Sequence, residues 1–234
     1  MSTEVEVTTT KVAVPDGEFT LHVWNPEATT GILLIQEIWG VSDYIREVAE
    51  ELAGLGYLVA SPDLFWRIQP EWVGVHDEEG LKEGLDFGSR FDPDKGLDDL
   101  EATLAHLRGM TEKVGVLGFC LGGTLAYGLA ARVDGLAAVV SFYGSGVPDQ
   151  AGLIERIECP LQFHFGGSDP YIPREQIAKV EEAVAGRANV EMNVDEEAGH
   201  AFHNRKAPMF YQPEPAERAW RLTERFLDRN LPVG

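Results

Sequence analysis

Short, uninterrupted apolar segments recur along this chain and alternate with longer segments of helical periodicity. Such short runs, bounded by turn residues, are typical of strands buried on both faces of a parallel sheet. We therefore predict an α/β protein with a mostly parallel central sheet flanked by helices on both faces. The predicted buried strands are 31–35, 57–60, 114–118, 136–142, 161–165 and 190–194, and the predicted helices are 43–55, 97–107, 121–132, 174–184 and 214–227.

The helix predicted at 43–55 shows the pattern most clearly, because its apolar residues are three or four positions apart. Ser42 stands where an N-cap is expected. Before it, the first 25 residues predict a pair of strands around a turn at 15–17. Val5, Val7, Val12 and Val14 precede this turn, and the segment 19–24 (Phe-Thr-Leu-His-Val-Trp) follows it. The segment 62–93 has no clear period, and its aromatic and charged residues suggest an excursion that could line a pocket.

Composition limits the classes of partner. The 234 residues suffice for one large domain, which we place at 1–234. With 39 acidic and 19 basic residues, the net charge of −20 argues against nucleic acid or an anionic membrane as a partner. The N-terminus has no signal-peptide core, no segment approaches the roughly 20 apolar residues of a membrane span, and the two cysteines form no Cys-x-x-Cys pair. We expect a cytoplasmic protein, either a monomer or a small homo-oligomer.

The strongest functional signal is the segment 114–123, Val-Gly-Val-Leu-Gly-Phe-Cys-Leu-Gly-Gly. It ends a predicted buried strand and begins a helix at once, and it matches Gly-x-Ser-x-Gly with a cysteine in place of the serine. Cys120 would then lie at a helix N-terminus, where the helix dipole favours a thiolate. The Leu121 amide would face a developing oxyanion. Taken alone, the motif also allows a small buried cysteine in a glycine-rich turn.

Asp169 and His200 follow later strands, in the chain order that an α/β-hydrolase needs. Either residue alone would be read as a turn or surface residue. Together, at the ends of successive predicted strands, they favour a Cys-His-Asp arrangement with Cys120. Glu37 directly follows the strand 31–35, so we expect it at the carboxyl edge of the sheet, where ligands bind in open α/β folds. The alternative for Glu37 is an ion-paired loop residue.

Other candidates carry weaker signals. His164 lies within an apolar strand and is expected to be a core histidine, and Cys159 is expected to be structural. His203 is close enough to His200 to line the site. No cluster of His, Cys, Asp and Glu has the spacing of metal ligands, so we expect neither a metal nor a cofactor. Four aromatic residues could form a pocket wall or simply pack in the core: Trp39, Phe65, Trp66 and Trp72.

These motifs together resemble the dienelactone hydrolase (carboxymethylenebutenolidase) family, over nearly the whole chain. The matching segments are 36–40 (Gln-Glu-Ile-Trp-Gly), 61–64 (Ser-Pro-Asp-Leu), 118–123 (Gly-Phe-Cys-Leu-Gly-Gly), 167–170 (Gly-Ser-Asp-Pro) and 199–202 (Gly-His-Ala-Phe). The resemblance implies an α/β-hydrolase fold in which Cys120 is the nucleophile, His200 the base and Asp169 the residue that orients the histidine.

The resemblance also implies roles for residues after the strand 31–35. Glu37 matches the family's additional active-site glutamate, which interacts with the cysteine in the resting enzyme. The amides of Ile38 and Leu121 would form the oxyanion hole.

The substrate-binding residues depart from the family pattern. Members that act on dienelactone are understood to grip its carboxylate with two arginines. Asn204 occupies the position that we align with the second arginine, and Arg205 is adjacent to it. Near the first position the basic residues are Lys82 and Arg90. We take Arg205, Lys82, Arg90 and Trp39 as candidate substrate-binding residues, so that either the carboxylate clamp is displaced or the substrate differs.

The predicted function is cysteine-dependent hydrolysis of a small activated ester or lactone, with a ring-opened carboxylic acid as the product from a lactone. Two alternatives stay open. One is a non-catalytic protein of the same fold that binds or senses a small lactone. The other is a thiol esterase, peptidase or acyltransferase with a different class of substrate. The expected partner is a small-molecule ester or lactone, with no nucleic acid and no membrane.

Overall fold

The computed structural model describes residues 6–234, and one eight-stranded sheet runs through it. Its spatial order is β1-β2-β4-β3-β5-β6-β7-β8, with β1 and β2 antiparallel to their neighbours and all other pairs parallel. The strands are β1 (Val7–Val14), β2 (Gly17–Trp24), β3 (Thr30–Ile35), β4 (Leu58–Pro62), β5 (Lys113–Phe119), β6 (Ala138–Phe142), β7 (Leu161–Gly166) and β8 (Val190–Asp195). The predicted fold class is confirmed, and the predicted N-terminal strand pair is present except at Val5, which lies outside the described residues.

Six α-helices connect or follow the strands. They are α1 (Asp43–Gly54), α2 (Glu78–Arg90), α3 (Pro93–Arg108), α4 (Leu121–Ala130), α5 (Arg174–Val184) and α6 (Pro213–Asn230), and a 3₁₀ helix occupies Pro148–Arg156. All five predicted helices are present. The sequence prediction missed the 3₁₀ helix and α2, whose three glycines weaken its helical signal.

Tertiary packing supports α2. At its N-terminus, the Asp77 side chain accepts a hydrogen bond of 2.8 Å from the Gly80 amide. On its buried side, Phe87 stacks on Trp72 with the ring centroids 4.1 Å apart, and both rings pack against Phe65. These aromatic residues, in a segment that the sequence left irregular, hold α2 over the carboxyl edge of the sheet.

Helices cover both faces of the sheet, as β7 shows. Successive side chains of a strand point to opposite faces. The Phe163 ring lies 5.6 Å from the Tyr127 ring of α4, whereas the next side chain, His164, hydrogen-bonds Thr223 of α6 at 3.1 Å. The two helices α4 and α6 therefore lie on opposite faces, and the sheet between them is buried on both sides.

The start of α1 differs in one detail from the prediction. Ser42 occupies the N-cap position, and its carbonyl accepts the first helical hydrogen bond from the Arg46 amide at 2.9 Å. Its buried hydroxyl, however, has no hydrogen-bond partner within the described residues, so the predicted N-cap is present without a hydrogen bond from its side chain.

Within residues 6–234, no helix combines the length and the apolar composition needed to cross a bilayer.

Candidate active site

Cys120 lies on a sharp turn between β5 and α4. Its backbone angles, φ 53° and ψ −112°, are strained for a residue with a side chain. The turn is fixed by a hydrogen bond of 3.0 Å from the Cys120 amide to the Phe142 carbonyl of β6. Gly122 lets α4 start directly against the sheet, because a Cβ at this position would overlap the Ile35 carbonyl of β3. The local sequence thus builds the strained turn that the Gly-x-Cys-x-Gly motif predicts.

Cys120, His200 and Asp169 form a hydrogen-bonded chain. The Cys120 Sγ lies 3.1 Å from Nε2 of His200, and the His200 Nδ1 lies 2.6 Å from Oδ2 of Asp169. The other carboxylate oxygen of Asp169 accepts hydrogen bonds from the backbone amides of Tyr171 and Ile172, at 2.7 and 3.2 Å. Asp169 follows β7 and His200 follows β8, so three strand ends bring the three side chains together.

The charges around His200 favour its protonated form. Burial alone would lower the pKa of His200, but the charge on Cys120 and the hydrogen bond to Asp169 outweigh burial and raise that pKa to about 10. His200 is therefore disposed to carry a proton on each nitrogen at neutral pH, with one proton facing the Cys120 sulfur. The N-terminus of α4 adds its dipole on the thiolate side.

Glu37 is fully buried just after β3, beside the same group. Its Oε1 accepts a hydrogen bond of 2.6 Å from the Asn204 amide, and Nε2 of His76 lies 3.5 Å from the same oxygen. Oε2 has no hydrogen-bond partner among the described residues. Burial raises the pKa of Glu37 above its ordinary value, and the smaller effects of His76, His200 and Asn204 act in the opposite direction. The hydrogen bond of Glu37 thus goes to Asn204, whereas Cys120 is bonded to His200.

A cavity of about 380 Å³ opens beside the Cys120 sulfur, within the range of small-molecule sites. Ile38 and Leu121 lie on its wall. Leu121 is the first residue of α4, so its N–H has no acceptor within the helix. The walls are mainly apolar, and the lining residues are Glu37, Ile38, Trp39, Leu81, Leu85, Pro93, Cys120, Leu121, Thr124, Leu125, Ser145, Gly146, Gln150, Tyr171, His200, Ala201 and Phe210.

A larger cavity, of about 540 Å³, lies elsewhere and includes Glu51, His203 and Arg205 in its lining. Its lining contains none of the Cys120, His200 and Asp169 group. We therefore place the candidate active site in the smaller cavity, because a substrate must contact the Cys120 sulfur before that atom can attack it.

The candidate substrate-binding residues separate into two groups. Trp39 lines the cavity beside Cys120, but Arg205, Lys82 and Arg90 do not. Arg205 is held in a two-pronged ion pair with Glu51 of α1, one arm of which measures 3.0 Å. That pair keeps its guanidinium in the larger cavity, so the structure does not support the expected contact with substrate.

The two basic residues of α2 are exposed and do not line the cavity. Gly80, Gly84 and Phe87 form the buried side of this helix. Lys82 is two positions from each glycine, which places it on the opposite, exposed side of the helix. Arg90 is exposed and pairs with Asp86 at 3.0 Å. Neither side chain therefore forms part of the cavity wall, although both residues are close in sequence to residues that do.

The structure also places the weaker candidates. His164 is buried and hydrogen-bonded to Gln162 and Thr223, which confirms a core histidine. His203 is buried too, and its Nδ1 bonds the Tyr44 hydroxyl at 2.7 Å in the larger cavity, away from the expected site. Sequence reasoning missed His76, because no motif marks a lone histidine in the irregular segment before α2.

The chain is similar to known proteins in sequence and in fold. Residues 19–231 match the model of the dienelactone hydrolase family. The chain belongs to this family. The dienelactone hydrolase family and the α/β-hydrolase fold predicted from the sequence are therefore confirmed, and the chain is classed as a hydrolase.

Curated relatives and solved structures agree with this membership. The carboxymethylenebutenolidase of Pseudomonas putida is 33% identical over 177 residues, which cover 73% of this chain and 74% of that protein. Carboxymethylenebutenolidase 1 of Cupriavidus pinatubonensis is 30% identical over 203 residues, which cover 84% of this chain and 86% of that protein.

Two crystal structures share the architecture. One is a Klebsiella pneumoniae protein assigned, but not established, as a dienelactone hydrolase, with a TM-score of 0.81, 24% identity and coverage of 95% of this chain and 98% of that chain. The other is a dienelactone hydrolase-like promiscuous phosphotriesterase from metagenomic libraries, with a TM-score of 0.78, 20% identity and coverage of 97% and 99%. At these identities the two structures show the fold alone.

Proposed function

We propose that this dienelactone hydrolase family member cleaves a small activated ester or lactone, with Cys120 as the nucleophile, His200 as the acid and base, and Asp169 as the orienting carboxylate. The observation that carries the proposal is the hydrogen-bonded chain from Asp169 through His200 to the Cys120 sulfur, at the edge of a cavity. A nucleophile bonded to a base, which a third group orients, is the arrangement that nucleophilic catalysis requires.

In the first half of the reaction, the Cys120 thiolate attacks the substrate carbonyl carbon and forms a tetrahedral intermediate. The amides of Leu121 and Ile38 are proposed to hold its oxyanion, and each such donor contributes about 3 kcal/mol in enzymes where one has been removed. The intermediate collapses with cleavage of the carbon–oxygen bond to the leaving group. The leaving oxygen takes the proton from Nε2 of His200, and an acyl-enzyme remains on sulfur.

In the second half, neutral His200 removes a proton from water as the water attacks the thioester carbonyl. Collapse of this second intermediate releases the carboxylic acid and restores the thiolate, and His200 keeps the proton it accepted. Asp169 holds the imidazole so that Nε2 faces the sulfur throughout. From a lactone, the leaving oxygen stays attached to the acid, so the product is ring-opened.

The nucleophile limits the class of ester. A thiolate is itself a good leaving group, so a tetrahedral intermediate with a poor alkoxide leaving group returns to substrate. An enol or aryl oxygen departs more readily, which favours activated esters and lactones. Glu37 lines the same cavity and is fully buried, and burial raises its pKa in the direction of the neutral form.

The test compares hydrolysis of dienelactone and of a simple aryl acetate by the wild type and by Cys120→Ala. Cys159→Ala is the matched control, since Cys159 is the other free cysteine and lies outside the cavity. We expect the Cys120 variant to lose turnover of every substrate that the wild type cleaves, while the control retains it. Turnover that survives without the Cys120 thiol would refute the proposed nucleophile.

Two further outcomes would redirect the proposal. Stoichiometric labelling of Cys120 without product release would indicate a sensor that binds a lactone. Cleavage of peptides in preference to activated esters would indicate a thiol peptidase. Mass spectrometry of the intact protein during turnover distinguishes these cases, because only a hydrolase returns to its unmodified mass.

A further inference from the structure

The charges of the side chains that line the cavity beside Cys120 limit the ligands that it can bind. Within the described residues 6–234, none of those that line it is a lysine or an arginine. Its walls include Ile38, Leu81, Leu85, Leu125 and Phe210. Walls of this kind stabilise an apolar ligand body by removing it from water.

Four basic residues that are near the lining residues in sequence do not themselves line the cavity. Arg205 is paired with Glu51, and Arg90 with Asp86. Arg174, three residues after the lining residue Tyr171, pairs with Glu181 at 2.8 Å and with Glu196 at 3.1 Å. Lys82 follows the lining residue Leu81, but it lies on the exposed side of α2.

An anionic substrate would meet unfavourable charges instead. The protein has a net charge of −20, which repels anions at a distance. Inside the cavity, a free carboxylate would lose its water and approach the Cys120 thiolate. Among the described lining residues, protonated His200 is the positive group, and it is already held between the Cys120 sulfur and the Asp169 carboxylate.

The polar groups on the rim suit a neutral ligand. Thr124, Ser145 and Gln150 line one part of the cavity. The hydroxyl of Thr124 accepts a hydrogen bond of 3.0 Å from the Gly146 amide, and the Gln150 amide donates to the Gly146 carbonyl at 3.3 Å. Hydroxyl and amide groups can bond the carbonyl or ether oxygens of an uncharged ester without a full charge on either side.

From these observations we propose that the substrate is an uncharged ester or lactone with an apolar body, and that a substrate bearing a free carboxylate is selected against. This inference rests on the proposed function, since it concerns the same thiol and the same cavity. It differs from the expectation of a carboxylate clamp, because it assigns selectivity to the absence of a cation in the cavity.

The experiment uses two aryl acetates, 4-acetoxybenzamide and 4-acetoxybenzoate. Both transfer the same acetyl group to Cys120, so they share one acyl-enzyme and differ only in acylation. Dividing each kcat/KM by the rate constant for a small thiolate in solution removes the difference between the two leaving groups. We expect the neutral amide to be preferred by about tenfold or more after this correction, as a like charge within several ångströms implies.

A positive charge added at the cavity mouth tests whether the lack of a cation causes the selection against carboxylates. Leu85 lines the cavity and is 48% exposed on α2. Leu85→Arg should raise the corrected kcat/KM for 4-acetoxybenzoate relative to the amide by about three- to thirtyfold, and salt should weaken the gain. Leu85→Gln, which adds a polar group without a charge, is the matched control and should leave the ratio near the wild-type value.

The possible outcomes distinguish a failure of this inference from a failure of the proposed function. A wild type that favours the benzoate, or cleaves both substrates equally after correction, would overturn the inference. If Lys82→Met, Arg90→Met or Arg205→Met then abolished a preference for the benzoate, that residue would be the hidden clamp, and the proposed function would stand. Hydrolysis of both substrates by Cys120→Ala at the wild-type rate would instead refute the proposed function.

Discussion

The carboxylate of Asp169 offers a sharp perturbation of the proposed mechanism. In Asp169→Asn, the oxygen that accepts hydrogen bonds from the Tyr171 and Ile172 amides can be kept. The second oxygen, 2.6 Å from Nδ1 of His200, becomes an NH₂ group that can only donate. His200 must then present an unprotonated Nδ1 to the amide. The imidazole keeps its place but is driven to the wrong tautomer, and its charged form loses a partner.

The magnitude follows from the hydrogen bond that is lost. A buried hydrogen bond to a charged group contributes about 1.5–3 kcal/mol, which corresponds to roughly ten- to hundredfold in rate. The wrong tautomer adds to this loss, and the same substitution in a serine protease costs about 10⁴ in kcat. We therefore expect kcat/KM to fall by between about 10² and 10⁴ with an activated aryl ester.

The pH profile gives a second, independent readout. The pKa of His200 is raised to about 10 because the charge on Cys120 and the bond to Asp169 outweigh burial. Protonated His200 supplies the leaving-group proton, so wild-type activity should decline as pH rises through about 10. Without the Asp169 charge this pKa falls, and the alkaline decline should begin at lower pH in the variant.

The assay measures kcat/KM across pH for the wild type, for Asp169→Asn and for Asp195→Asn. Asp195 is the matched control, because it ends β8, pairs with Arg218 and does not line the cavity beside Cys120. The control should keep the wild-type profile. A variant at position 169 with wild-type activity and an unmoved alkaline decline would refute the role that we assign to this carboxylate.

Three further outcomes follow from the structure. Gly122→Ala should lower the unfolding free energy by about 1–3 kcal/mol in urea titrations and reduce activity, because the added Cβ overlaps a carbonyl of β3 and pushes α4 from the sheet. An unchanged transition would contradict the close contact. Phe87→Ala should cost about 3–5 kcal/mol of stability by removing a buried ring stacked on Trp72, and it should raise KM as α2 loosens; a cost below 1 kcal/mol would show that this cluster does not hold the helix. Arg205→Ala should leave kcat/KM within about twofold and cost less than about 1 kcal/mol, since this partly exposed ion pair lies in the other cavity; a large rise in KM would place the arginine in the substrate site.

Much of the architecture was readable from local sequence. The buried strands are short apolar runs, and the helices have apolar stripes. Both patterns can be recognised without knowing which segments pack against them. The turn at Cys120 was equally legible, because its flanking glycines are required by a backbone approach within a few residues of the chain. The placement of Asp169 and His200 at successive strand ends followed from the alternation of strands and helices.

Tertiary structure decided what distant segments do to one another. The helix α2 was hidden by its glycines and is stabilised by rings from outside it, so local propensity could not reveal it. Its orientation turns Lys82 and Arg90 to solvent, and an ion pair with α1 holds Arg205 in another cavity. Likewise, Glu37 meets Asn204 across more than half of the chain. The sequence by itself determined the fold and the positions of Cys120, Asp169 and His200 at strand ends. Both depend on local periodicity and on the order of elements along the chain. The charge and shape of the cavity depend on which side chains from remote segments converge, and only the folded chain settles that.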